Sequence, residues 1–155
     1  MNQYFASEMR KALSQVTSKL FLVITMPNAD TMGSVFRMEI EQLINEFSTQ
    51  VMCIENFGKE NYFSAMYYSK LLIGNTSSGI IEAASFGKYV VNVGERQKGR
   101  LQSDNIINAS FNYQNIIKAV DKALVNNIFD GINKYYNKHS ADLITNQIKQ
   151  LNEIL

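Results

Sequence analysis

The chain has 155 residues, a net charge of +1, 46% hydrophobic and 19% charged residues, and a single cysteine. That length suits one domain with its own core. The balanced composition argues against disorder, against an electrostatic pull toward nucleic acid or acidic membranes, and against an internal disulfide framework. No apolar run approaches the roughly 18–20 residues that cross a bilayer. The first residues show no basic segment followed by an apolar one, so no signal peptide is expected and the cytoplasm is the default location.

Residues 2–18 place Phe5, Met9, Leu13 and Val16 at helical spacing, which predicts an amphipathic helix with a narrow buried face. The apolar run 20–26 is continuous rather than alternating and stops at Pro27. It predicts a strand covered on both faces, as in a parallel sheet, followed by a turn over 27–30. A second amphipathic helix is expected over 34–48, a second strand over 51–54, and a short helix with an aromatic face over 61–69. The third strand, 71–73, leads through the turn 74–79 into a helix that reaches Phe86 and stops at Gly87. The fourth strand is 89–93, followed by the basic loop 94–100 and a weaker strand near 105–108. Helices are then expected from Tyr113 to about 126, around 129–136, and over 142–155. Strands alternating with helices at this spacing predict an α/β fold, a Rossmann-like, doubly wound parallel sheet. The whole of 1–155 reads as one domain, with a leading helix in 1–19 and C-terminal helices in 113–155.

Ligands of such sheets bind beyond the C-terminal ends of the strands. The loops at 27–30, 56–58, 75–79 and 94–100 all fall there. In the 74–79 turn a strand runs through Gly74 into Thr76, Ser77 and Ser78 at the start of a helix, whose first N–H groups are free to meet an anion. The hydroxyls can cap the helix or donate to phosphate, and Gly74 and Gly79 allow close backbone approach. Glu82, among apolar neighbours on that helix, can accept two hydrogen bonds from a ribose diol. Arg96, Lys98 and Arg100 can neutralise a pyrophosphate. A plain helix cap, a solvated carboxylate and a solvated turn account for the same residues without a ligand. The turn also lacks the GK[ST] ending of a Walker loop and the GxGxxG spacing of dinucleotide folds. Cys53, in an apolar run, reads as a buried structural thiol. His139 has no carboxylate or cysteine cluster near it, so neither a metal site nor a Ser–His–Asp arrangement can be assembled.

The run Gly74-Asn75-Thr76-Ser77-Ser78-Gly79-Ile80-Ile81-Glu82-Ala83-Ala84-Ser85-Phe86-Gly87, followed by Val91-Asn92-Val93-Gly94-Glu95-Arg96-Gln97-Lys98-Gly99-Arg100, resembles the UDP-N-acetylglucosamine 2-epimerase family. The basic loop is most similar to that of the hydrolysing branch, which serves the synthesis of sialic-acid-type sugars. Pro27-Asn28-Ala29-Asp30 and the segment 56–62 fit in the same order. The resemblance implies the C-terminal, nucleotide-binding half of a GT-B architecture, with UDP or a UDP-sugar as ligand and no cofactor. It implies that Thr76 and Ser77 bind the pyrophosphate, that Glu82 binds the ribose and that Arg96 belongs to the UDP site. The main chain at Phe57 would lie against uracil, and Asn28 is the asparagine of the first loop. Thr76 departs from the commoner serine, and Tyr89 stands where proline is frequent.

Family members are more than twice as long, and their acid and base carboxylates lie mainly in the N-terminal domain. No catalytic residue is therefore expected on this chain. The implied reaction, UDP-N-acetylglucosamine and water to N-acetylmannosamine and UDP, would need the missing half, and self-association through an uncovered interdomain face is open. Two other readings fit: the donor-binding half of a GT-B glycosyltransferase, and a non-enzymatic Rossmann-like interaction domain.

Overall fold

Short aliphatic runs form the strands, and the structure, a computed structural model, describes residues 2–27 and 33–152. β1 (Leu22–Thr25) pairs in parallel with β2 (Val51–Ile54), Leu22 lying on Val51 and Thr25 on Ile54. β3 (Leu72–Gly74), β4 (Val90–Val93) and β5 (Ile106–Ala109) form a second parallel ladder in that order. Its register sets Leu72 on Val90 and Gly74 on Asn92, then Val90 on Ile106 and Val93 on Ala109. The helices are α1 (Asn2–Val16), α2 (Gly33–Glu46), α3 (Gly58–Tyr68), α4 (Ser77–Ile81), α5 (Tyr113–Asn126) and α6 (Ser140–Asn152).

Alternation along β4 shows how the layers are arranged. All four β4 residues are buried, but their side chains go to opposite faces. Val91 and Val93 join the main core with Ala12 and Val16 of α1, Leu43 of α2, and Ile116, Ala119, Val120 and Ala123 of α5. Val90 joins a smaller cluster on the other face with Met66 of α3 and Ala83. Helices thus cover both faces of this ladder, a Rossmann-like arrangement.

The covering expected on both faces of the continuous run 20–26 is not found in the ladder of β1 and β2. Val23 and Met52, register partners on one face, are each 49% exposed. Only the other face, carrying Leu22 and Val51, meets the main core. A continuous apolar run reports hydrophobicity, and here it does not report a second covering layer. α6 is likewise exposed along its described length, with Leu143, Ile144, Ile148 and Leu151 all over half exposed.

Three predicted elements differ by more than two residues or in kind. α3 begins at Gly58, three residues early, because the Asn56 side chain accepts the Gly58 N–H at 2.8 Å and starts the turn. The helix expected to run unbroken to Phe86 stops at Ile81, and residues Ala83–Phe86 continue as a 3-10 turn that ends at Gly87. The cause is remote: Asn133 Nδ2 donates to the Ile81 carbonyl at 2.9 Å, and the Ser85 N–H turns to Glu82 O instead. No helix forms over 129–136. That segment is a strap held by side-chain bonds, among them Asn133 to Ser85 Oγ at 2.6 Å and the Lys134 N–H to Ser103 Oγ at 2.9 Å.

A carboxylate ties the leading helix to the last core helix. Glu8 is 4% exposed, and its Oε2 accepts the Tyr113 N–H at the start of α5 at 2.9 Å, while Lys11 Nζ donates to Oε1 at 2.9 Å. The Tyr113 backbone bond, then Lys11, holds the Glu8 carboxyl below the ordinary carboxylate range. Because the folded state lowers this pKa, the contribution to stability is complete above the unfolded value and fades as pH falls through the folded one. Glu8→Gln is expected to lower the melting temperature at pH 7, with the gap to the parent closing in acid; thermal melts at both pH values read it. Leu43→Ala, at a side chain with 0% exposure, is expected to cost about 3 kcal/mol in urea denaturation.

Candidate functional site

The C-terminal ends of the strands carry a cleft of about 340 Å³. Thr25 at the end of β1, the 55–59 turn after β2, Tyr62, and Thr76 with Ser78 at the start of α4 line it. Parallel strands bring these segments to one edge although they are far apart in the chain. Of the residues proposed from sequence, Phe57 and Thr76 meet in this cleft. Ser77, Glu82 and Arg96 do not line it, and Asn28 lies outside the described residues.

Thr76 is the N-cap of α4, extended at φ −73° and ψ 145°, with its hydroxyl accepting from the Ser78 N–H at 3.4 Å. That bond is long, so the hydroxyl is only loosely committed to the cap. Ser77, the first helical residue, is exposed. Glu82 stands where α4 breaks. Its N–H reaches the Ser78 carbonyl at 2.9 Å, and its half-buried side chain keeps Oε2 enclosed without a protein partner. Ser78 Oγ is enclosed and unpartnered as well. Buried oxygens are usually hydrogen-bonded, so Ser78 Oγ in α4 and Glu82 Oε2 just past its end each keep an acceptor open, as Gln97 Oε1 and Asn105 Oδ1 do elsewhere.

Gly79 has a different part from the one expected. It is buried, and a Cβ there would lie 3.0 Å from Val90 Cγ1, so the missing side chain lets α4 sit down on β4. Phe57 precedes α3 and is half-buried, its ring 6.5 Å from that of Tyr62. Arg96 is exposed and makes no ion pair among the described residues, whereas Lys98 is paired with Glu95 at 2.7 Å. Arg96 is therefore a free cation, and Lys98 is partly neutralised.

Three residues escaped sequence reasoning. Arg37 of α2 grips Glu55 through both terminal nitrogens, at 2.8 and 3.0 Å, and its Nε donates to the Pro27 carbonyl at 3.0 Å. This fork fixes the start of the first loop to the second, and the Arg37 bond holds the Glu55 carboxyl below its ordinary range. A carboxylate lining the cleft is thus already matched by a cation. The third is Gln97, 2% exposed in the middle of the basic loop, donating to the Asn75 carbonyl at 2.6 Å. No local pattern marks Arg37, Glu55 or Gln97, because each acts through a partner distant in sequence.

Cys53 is half-buried rather than fully buried, and burial, then the Glu55 charge, pushes its thiol up, away from nucleophile behaviour. His139 is exposed, with Nδ1 3.7 Å from Asp142. Among the described residues no group of three His, Cys, Asp or Glu side chains could hold a metal ion, and no helix is long and apolar enough to cross a membrane.

Parallel α/β ladders with helices packed against them have the form of a Rossmann-like domain. The sequence profile of the family described as UDP-N-acetylglucosamine 2-epimerase matches residues 2–149, and the chain belongs to that family. It is 37% identical over 120 residues, 77% of this chain, to a Legionella pneumophila protein named UDP-N,N'-diacetylbacillosamine 2-epimerase (hydrolyzing). It is 37% identical over 91 residues, 59% of this chain, to the Campylobacter jejuni GDP/UDP-N,N'-diacetylbacillosamine 2-epimerase (hydrolyzing). A Neisseria meningitidis UDP-N-acetylglucosamine 2-epimerase is 28% identical over 123 residues, 79% of this chain. The matched regions cover 30%, 24% and 31% of those three proteins, so the chain spans about a third of their length or less.

The basic loop leaves β4 through Gly94, at φ +81°, where a Cβ would lie 2.5 Å from the Phe111 ring. Gly94→Ala is expected to cost about 2–3 kcal/mol of stability, from left-handed strain and overlap together. Chemical denaturation measures it, and a neutral result would mean that the ring gives way freely.

Proposed function

We propose that this chain is the UDP-binding half of a hydrolysing epimerase acting on a UDP-linked 2-acetamido sugar, which leaves as the free 2-epimerised sugar with release of UDP. The observation that carries the reading is the pair of enclosed, unpartnered oxygens, Glu82 Oε2 and Ser78 Oγ, behind the hydroxyl-rich turn. A ribose diol supplies the hydrogen-bond donors that a carboxylate lacks. In this reading Thr76 and Ser77 hold the pyrophosphate, Glu82 holds the ribose, and Arg96 offsets the phosphate charge. The main chain at Phe57 runs along uracil, and Asn28 joins from the first loop. Donors and a cation on the phosphates stabilise UDP as it departs, so the chain serves the leaving-group end of the reaction.

The other end needs a base to remove the C2 proton and an acid to assist departure, each close to the sugar. Glu55 is a carboxylate of the cleft, and it is committed to Arg37. We assign the acid and base to an N-terminal domain outside these residues, facing this one as the other half of a GT-B pair in the cytoplasm. The short span of the relatives that the chain matches supports that division. Alone, the chain binds UDP and turns over nothing. The relatives at 37% identity are named for the diacetamido sugar and the one at 28% for N-acetylglucosamine, so both sugars are candidate substrates of the two-domain protein.

Titration with UDP tests the site. Glu82→Ala and Arg96→Ala are each expected to weaken binding by about 2 kcal/mol, roughly thirtyfold, through lost charge-assisted bonds. Unchanged affinity in both variants would remove the nucleotide site and favour an interaction domain. Free 2-epimerised sugar formed from either UDP-sugar by the purified 155-residue chain would overturn the division of labour between halves.

A further inference from the structure

Gln97 is the odd residue of the basic loop. Its neighbours Arg96 and Lys98 are exposed, yet it keeps only 2% of its surface. Its Nε2 donates at 2.6 Å to the carbonyl of Asn75, 22 residues back in the chain. Its Oε1 is enclosed and meets no protein donor. A glutamine that only filled space would be replaceable by an apolar side chain without leaving an amide oxygen unsatisfied, which costs stability. The loop is shaped around the inward turn of this side chain. The Lys98 N–H reaches Glu95 O at 3.0 Å and the Arg100 N–H reaches Gln97 O at 3.2 Å, which leaves Arg96 and Arg100 on the outside.

The Asn75 carbonyl belongs to the peptide unit whose N–H is that of Thr76. In a trans peptide the two groups point in opposite directions. Holding the carbonyl toward Gln97 therefore directs the Thr76 N–H the other way, and Thr76 lines the cleft.

We infer that Gln97 is a positioning residue that locks the 94–100 loop to the Asn75–Thr76 peptide, so that the loop carrying the free arginine and the turn that cradles the anion hold one fixed geometry. The ligand part of this inference rests on the UDP reading above, and the coupling of the two loops rests on the geometry alone.

The test has two arms in the same chain. Gln97→Met keeps the length and volume and removes the donor, and Gln97→Asn keeps the amide but is one methylene too short to reach Asn75. In hydrogen exchange without ligand, both variants are expected to speed the amides of 75–79 as well as those of 94–100. Faster exchange confined to 94–100 would overturn the coupling. In titration with UDP, Gln97→Met is expected to weaken binding on the order of fivefold. In an Arg96→Ala background the same change is expected to cost less than about twofold, because the loop then lacks the arginine assigned to the phosphates. Equal losses in both backgrounds, or full affinity with only a lowered melting temperature, would give Gln97 a purely structural part and overturn the inference. If the parent chain fails to bind UDP, the nucleotide reading falls, while the exchange arm still decides whether the loops are coupled.

Discussion

Parallel pairing of β3 with β4 is the constraint on which the candidate site depends. With Leu72 on Val90 and Gly74 on Asn92, the two strands end side by side and point the same way. The turn that follows β3 and the loop that follows β4 therefore leave the sheet as neighbours, although the helix between them separates their residues in the chain. Antiparallel strands would have sent consecutive loops to opposite ends. Gln97 can reach Asn75 only because this register brings the two backbones together. The β1–β2 ladder repeats the arrangement on a second pair of loops, which Arg37 ties together by gripping Glu55 and the Pro27 carbonyl.

Around this edge the molecule uses two kinds of fastening. The core beneath is apolar and close to continuous, from Ala12 and Val16 through Leu43 to Ile116 and Val120, and burial there supplies most of the driving force for folding. The edge itself is held by single polar contacts between segments far apart in sequence: Gln97 on Asn75, Arg37 on Glu55 and Asn133 on Ile81. Each contributes little net energy, because its groups were already hydrogen-bonded to water in the unfolded chain, yet each is directional in a way that apolar packing is not. Apolar packing determines where the sheet lies, and the polar contacts determine how its loops are aimed.

The division between legible and illegible follows the same line. The β4 strand and much of the face of α5 could be read from the sequence because periodic burial of Val91, Val93, Ile116 and Val120 leaves a local pattern, whereas α1 buries Ala6, Glu8 and Ala12 with Val16 and leaves Phe5, Met9 and Leu13 half-buried. The helix stop at Gly87 could be read because a left-handed residue after a helix favours glycine. The turn at Thr76 and the start of the helix behind it could also be read. The break at Glu82 could not, because its cause is Asn133, whose amide arrives from 52 residues downstream. The bare side of β1 and β2 was hidden for a related reason, since Val23 and Met52 are as apolar as their covered neighbours. Gln97 looked like one more polar residue in a basic turn, and nothing local distinguishes a glutamine turned inward from one in solvent.

Phe111 gives the packing of the leading helix a longer reach than its position suggests. The ring stacks on Phe5 of α1 at 4.7 Å, lies 6.1 Å from Phe36 of α2, and fills the space beside Gly94 that a side chain would need. One aromatic side chain thus serves as a spacer between two helices of the scaffold and the root of the loop that carries Arg96. Residues that never approach the cleft therefore share in setting that loop's angle of departure. Sequence drift at Phe5 or Phe36 therefore reaches the root of that loop through one shared ring.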